Sequence, residues 1–172
     1  MKSAIAAAML LGSASAQAEV LSANSNGFHV RQAADLAVAP AEAFRRFGQV
    51  GSWWNPQHSY SGDSKNLGLS LLPGACFCEK LPGGGGVEHL RVTYYQPGKR
   101  LVMSGALGPL LFEAAAGVMD VQIEPTSQGS RITMNYKAAG FAEAGADKLA
   151  PLVDTVLGDQ VKRFAAYASS KP

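Results

Sequence analysis

Residues 53–60 read Trp-Trp-Asn-Pro-Gln-His-Ser-Tyr, and no other stretch of the chain concentrates so many groups able to hold or alter a small molecule. Aromatic rings supply large contact areas, while His58 and Tyr60 add polar handles at the edge of an apolar surface. Trp53, Trp54, His58 and Tyr60 are therefore candidate ligand-binding residues, and His58 is a candidate acid or base. The competing expectation is that both tryptophans simply cap the core. Alternation along the strands adds further candidates. Ile132, Met134 and Tyr136 share one face, as do Met119, Val121 and Ile123, and Leu90, Val92 and Tyr94; these rows are expected to point inward. Continued by two, they place Glu88 and Glu113 inward near strand ends. A carboxylate there is costly unless it is paired or protonated, so each is a candidate functional acid, against a frayed strand end with the carboxylate in water. Tyr136 brings a hydroxyl that needs a partner once buried. The same parity sends His89 and Arg91 outward to solvent.

Cys76 and Cys78 are the only cysteines. On a regular strand, residues two apart face the same way but stand too far apart for a relaxed disulfide, so a bond requires a bulge or turn. Three readings remain open: a structural pair (disulfide or packed thiols), a metal site completed by His58, Glu88 or His89, and a redox role without the usual C-x-x-C. The structural reading fits best, and neither a metal nor a cofactor is expected. Gly83 to Gly86 lacks the Lys-Ser/Thr and the strand-to-helix setting of a phosphate loop. Neither G-x-S-x-G nor H-E-x-x-H occurs, which argues against the commoner hydrolases.

These residues need elements to position them. Phe28 to Val38 alternates loosely as a first strand, and Pro40-Ala41-Glu42 opens a helix whose apolar stripe is Ala43, Phe44 and Phe47. Arg45 and Arg46 read as its solvated side. From Leu67 the period changes to two, and Pro/Gly turns divide strands near 67–71, 75–81, 87–96, 100–107, 112–124 and 131–141. Leu149, Leu152, Val153, Val156, Val161, Phe164 and Ala168 then fall on one face of a long final helix, with Asp147 as its N-cap, Pro151 in its first turn and Gly158 at its middle. The expected fold is α+β: a curved antiparallel sheet of about seven strands around a long C-terminal helix, with two short helices after the first strand. Imperfect filling between helix and sheet leaves a ligand cavity.

Residues 1–18 resemble a cleavable export signal: Lys2, an apolar run from Ala4 to Leu11, and Ala16-Gln17-Ala18 before the cut. The mature chain then begins at Glu19 as a single domain over residues 19–172, periplasmic or secreted, with no stable membrane anchor. The formal charge of +2 becomes +1 without Lys2, and no basic footprint of a nucleic-acid binder is present.

"LAVAPAEAFRRF", the string from Trp53 to Gly62, "CFCEKLPGGGGVEHLRV" and "SGALGPL" together resemble a branch of exported bacterial proteins in the START-like (SRPBCC, helix-grip) superfamily, over roughly residues 28–167. That superfamily includes polyketide cyclases and lipid carriers, so the resemblance implies the helix-grip fold and a pocket for a lipid, polyketide or aromatic compound, but no particular reaction. The expected function is binding or transport of a small hydrophobic or aromatic molecule between sheet and last helix. One alternative is a cyclase or aldol-type enzyme with His58, Glu88 or Tyr136 converging as acid–base groups. A second is a protein-interaction module with a filled interior and an exposed apolar patch.

Overall fold

The computed structural model describes residues 17–170. The expected export signal lies outside these residues except for Gln17 and Ala18, whose backbones pair with Ala33 and Gln32. All eight strands form one antiparallel sheet: β1 (Gln17–Asn24), β2 (Gly27–Leu36), β3 (Leu67–Leu69), β4 (Cys76–Lys80), β5 (Gly86–Gln96), β6 (Arg100–Gly105), β7 (Ala114–Thr126) and β8 (Gly129–Phe141). Their spatial order is β1-β2-β8-β7-β6-β5-β4-β3. Among the described residues there are also two α-helices, α1 (Pro40–Phe47) and α2 (Ala146–Ser169).

The sheet has one strand more than expected. The extra strand is β1, whose polar sequence through Ser22 and Asn24 carries little alternation; it is an edge strand, specified mainly by its ladder to β2. In place of two short helices, α1 is followed by 3-10 turns at Val50–Ser52, Pro56–His58 and Ser64–Asn66. These short turns lead the aromatic segment out from α1 and back to β3.

Alternation along β8 and the second half of β7 holds as read: Met119, Val121, Ile123, Ile132, Met134 and Tyr136 are all buried. Against this face lies α2, which buries Ala150, Val153, Leu157, Val161, Phe164 and Ala168. Phe164 is 1% exposed, a burial worth roughly 1.5–3 kcal/mol, and its ring meets those of Phe47 at 5.3 Å and Trp53 at 5.2 Å. Gln32 of β2 fastens the middle of the helix by donating to the Asp154 carbonyl (3.1 Å) and carboxylate (2.5 Å).

The helix ends differ from the sequence reading. Gly145, at φ +87°, is the N-cap of α2 and offers no side chain to the helix, so Asp147 falls inside the first turn, where its charge still suits the dipole. Pro151 sits past that turn, inside the helix. Arg46 is not solvated but 8% exposed. Its guanidinium accompanies Glu42 (2.6 Å) and donates to the carbonyls of Tyr167 (3.1 Å) and Ser170 (2.7 Å). Those carbonyls lie at the C-terminal end of α2, where a cation answers both the unpaired acceptors and the dipole.

Candidate functional site

A register shift in the ladder between β4 and β5 creates the site. Cys76 pairs with Arg91 and Phe77 with Leu90, but Cys78 pairs with Glu88, so His89 is an extra residue on β5. A bulge of this kind breaks strict alternation and re-aims a side chain. Consecutive residues His89 and Leu90 are both buried, at 5% and 0% exposure. Beyond a second shift at Thr93, Tyr94 faces out and Tyr95 packs on Phe44. Along β5, strand parity therefore misassigned three residues: His89 lies inside, whereas Glu88 and Tyr94 lie outside.

Two features accommodate the bulge. Cys76 and Cys78 form a disulfide with their Cα atoms 5.3 Å apart, against the roughly 6.6 Å that two residues span on a regular strand, so β4 is contracted where β5 carries its extra residue. On the other flank, Gly105 of β6 lies at φ +148°, and a Cβ there would come within 2.5 Å of the His89 carbonyl oxygen. Only glycine lets β6 close against the bulge. The Tyr136 hydroxyl donates to the Gly105 carbonyl (3.2 Å) and accepts from the Leu107 N–H (3.2 Å). That hydroxyl is thus satisfied by backbone, and burial pushes its pKa up to about 12.

Turned inward, the His89 imidazole meets Glu79 of β4, with Nε2 3.0 Å from Oε2. The Glu79 side chain is fully buried and also accepts from the backbone N–H groups of Ser61 (2.5 Å) and Tyr60 (3.1 Å). Burial works to raise its pKa, but the hydrogen bonds from Ser61, Tyr60 and His89 outweigh it and hold the carboxyl below the ordinary value. An ionised carboxylate only accepts, so His89 Nε2 carries the hydrogen. For His89, burial lowers the pKa more than the bond to Glu79 raises it, and the ring is neutral at pH 7. Its lone pair is then on Nδ1. Among the described residues that atom has no partner, and only Gln160 Nε2 is a sealed side-chain atom without one; Nδ1 therefore opens to the space the ring lines. Tyr60 stacks on the imidazole at 5.8 Å and 16°, and Phe77 meets it at 5.0 Å.

That space is a cavity of about 470 Å³ bounded by α2, the aromatic segment and residues 107–112, with His89 of β5 its one lining residue from a strand. Trp54, Leu107, Pro109, Leu152, Val156 and Leu157 supply most of its apolar wall, and His58 and His89 also line it. At its mouth the Tyr60 hydroxyl donates to the Gly108 carbonyl (2.7 Å), tying the aromatic segment to the turn at Gly108–Phe112. Phe112 and Leu152, both strongly exposed, flank this opening.

Of the residues singled out from sequence, the structure brings Trp54, His58 and Tyr60 to the cavity. Trp53 is a core residue instead, donating its Nε1–H to the Phe47 carbonyl (3.2 Å). Glu88 is on the outer surface, ion-paired with Arg91. A carboxylate oxygen of it and the sulfurs of Cys76 and Cys78 lie within 4.8 Å of one another, but the two sulfurs are bonded to each other. Glu113 is likewise away from the cavity, accepting from the Glu143 N–H (3.1 Å). The set His58, Glu88 and Tyr136 does not converge: one lines the cavity, one faces solvent and one is held by backbone. Sequence reasoning missed Glu79 and misplaced His89. Their only trace was the C-x-C spacing, which already demanded an irregularity on β4.

Among solved structures, the chain is similar to an uncharacterized protein from Rhizobium leguminosarum, with TM-score 0.58, 16% identity and coverage of 89% of this chain and 97% of that one. A protein from Chromobacterium violaceum matches with TM-score 0.59 and 15% identity over 83% and 98% of the two chains. DynU16, a protein of the dynemicin biosynthetic locus, matches with TM-score 0.57 and 15% identity over 81% of this chain and 46% of its own. Neither a protein-family model nor a curated protein sequence matches. What this chain shares with these bacterial proteins is the α+β fold, one large antiparallel sheet with a long C-terminal helix.

Proposed function

We propose that the protein binds a small, neutral, largely apolar molecule in the cavity bounded by α2, the aromatic segment and residues 107–112, with a hydrogen-bond donor of the ligand placed on His89 Nδ1. The observation that carries this reading is a mainly apolar wall that includes the buried His89, whose Nδ1 has no partner among the described residues. Dry apolar cavities of about 150 Å³ take up benzene, so about 470 Å³ suits a molecule of two or three rings. The buried negative charge of Glu79 disfavours ligand carboxylates and favours alcohols, phenols or enols. The helix-grip resemblance supports the same class of ligand. The resemblance of residues 1–18 to an export signal and the paired cysteines support action in the periplasm or outside the cell, where disulfides persist.

Titration with 2-naphthol, followed by quenching of tryptophan fluorescence, tests the reading because Trp54 lines the cavity. Saturable quenching is expected for 2-naphthol, with weaker binding for naphthalene and for naphthoate. The variant Val156→Trp fills the space from a half-buried helix position and should abolish binding while the protein stays folded. Equal, non-saturable quenching in wild type and V156W would overturn the reading.

A further inference from the structure

Binding by itself does not call for a buried carboxylate behind the imidazole; a lone amide or hydroxyl would anchor a ligand without burying a charge. The arrangement present is that of a base with its orienting partner. We propose that His89 acts as a general base, with Glu79 as its positioning residue, and removes a proton from a neutral, apolar carbon acid held in the cavity. This rests on the ligand-binding reading above and adds a reaction at the same site.

Three observations bear on it. Glu79 is itself fixed by the Ser61 and Tyr60 amides, so the imidazole is held at one tautomer with Nδ1 toward the cavity. Tyr60 stacks on the ring and Phe77 packs against it, which limits its rotation. The groups able to titrate around it are few: Glu79 comes from β4, and Tyr60 and His58 come from the aromatic segment. The turn at Gly108–Phe112 contributes no charged side chain to the cavity, and α2 presents Leu152, Val153, Val156 and Leu157. Glu88 and Arg91, neighbours along β5, pair with each other on the outer face. Among the described residues, then, no Lys or Arg lines the cavity to oppose a proton on the imidazole.

In the step, the substrate C–H bond breaks and its proton moves to Nδ1, while the electron pair stays on the substrate. The resulting imidazolium is neutralised by Glu79 at 3.0 Å and returns its proton to water through the mouth of the cavity. Nitrobenzisoxazole is a probe of the right size and polarity: loss of its ring C–H proton sends the electron pair into a nitrile as the N–O bond breaks, leaving a coloured phenolate.

With this probe, wild type should show saturable turnover whose kcat/KM rises with pH to a plateau, through one inflection below the ordinary histidine value. His89→Gln should lose about 100-fold or more in kcat while retaining saturable binding of the probe. Glu79→Gln should lower kcat and move the inflection further down, because it removes the one neighbour that raises the pKa of His89; a merely structural effect would not move the inflection. A flat pH profile in wild type, or equal rates in wild type and H89Q, would overturn the base assignment and leave the binding reading standing. Absence of saturable probe binding, together with a failed 2-naphthol titration, would overturn both.

Discussion

Replacing Glu79 by glutamine turns one buried oxygen into an NH2 group at constant size, and the three hydrogen bonds on that carboxylate set the cost. It accepts from Ser61 N–H at one oxygen, and from Tyr60 N–H and His89 Nε2–H at the other. Glutamine offers a single acceptor oxygen. If its NH2 faces Ser61, that backbone N–H loses its partner. If it faces His89, the Tyr60 N–H loses its partner, and the imidazole must switch tautomer so that Nε2 accepts and Nδ1–H points into the cavity. Either way one amide at the base of the aromatic segment is left unpaired, at about 1–3 kcal/mol. For a chain of this length each kcal/mol shifts Tm by about 2–4 °C, so E79Q should melt about 2–12 °C below wild type. The assay is thermal unfolding by circular dichroism at pH 7, paired with 2-naphthol titration, which separates the two orientations: affinity is kept in the first and falls in the second, where Nδ1–H meets this donor ligand. A Tm within about 1 °C of wild type and an unchanged 2-naphthol affinity would refute the claim that this carboxylate holds both the segment and the imidazole.

The pH dependence of stability should report the same pair. The folded pKa of His89 is below its ordinary value of 6.5, so the unfolded chain takes up that proton first; stability is complete above pH 6.5 and falls as the pH drops from there through the folded pKa, by at most about 1.4 kcal/mol per pH unit from one group. Glu79, also lowered, adds a second loss below its ordinary value of 4.5. Urea unfolding of wild type and H89Q between pH 7 and 5 checks this: the variant should lack the upper loss, and parallel curves would contradict it. Tyr136→Phe leaves the Leu107 N–H without its acceptor and the Gly105 carbonyl without its donor; a loss of about 1–3 kcal/mol per unpaired group is expected in thermal unfolding, and none would be seen if the hydroxyl were idle. Replacing both Cys76 and Cys78 by serine opens a ring so short that the chain-entropy loss is only about 1.5 kcal/mol. Its larger consequence should be at the cavity, where β4 can relax toward regular length and the bulge at His89 can slip, so 2-naphthol affinity should fall more than stability does.

Much of this protein was legible in its residues. Alternation along Met119–Ile123 and Ile132–Tyr136 set the buried face, the three- and four-residue steps from Val153 to Ala168 set the inward face of α2, with Leu152, read onto the same face, exposed instead, and Pro/Gly turns divided the strands from β3 to β8. Apolar periodicity is a local property, and burial of apolar surface tracks it. The aromatic string also pointed to the cavity, since Trp54, His58 and Tyr60 line it. The inner polar pair was not legible. One extra residue on β5 reverses which way His89 and Glu88 point, and that residue exists only through the pairing of β5 with β4 and its closure against Gly105. Glu79 looked like an ordinary strand residue until residues 60 and 61, nearly twenty positions earlier, placed two N–H groups on it. The sequence alone determined which surfaces are apolar and therefore which elements pack together. Register and long-range hydrogen bonding, which depend on partners distant in the chain, decided which polar groups were enclosed and what they face.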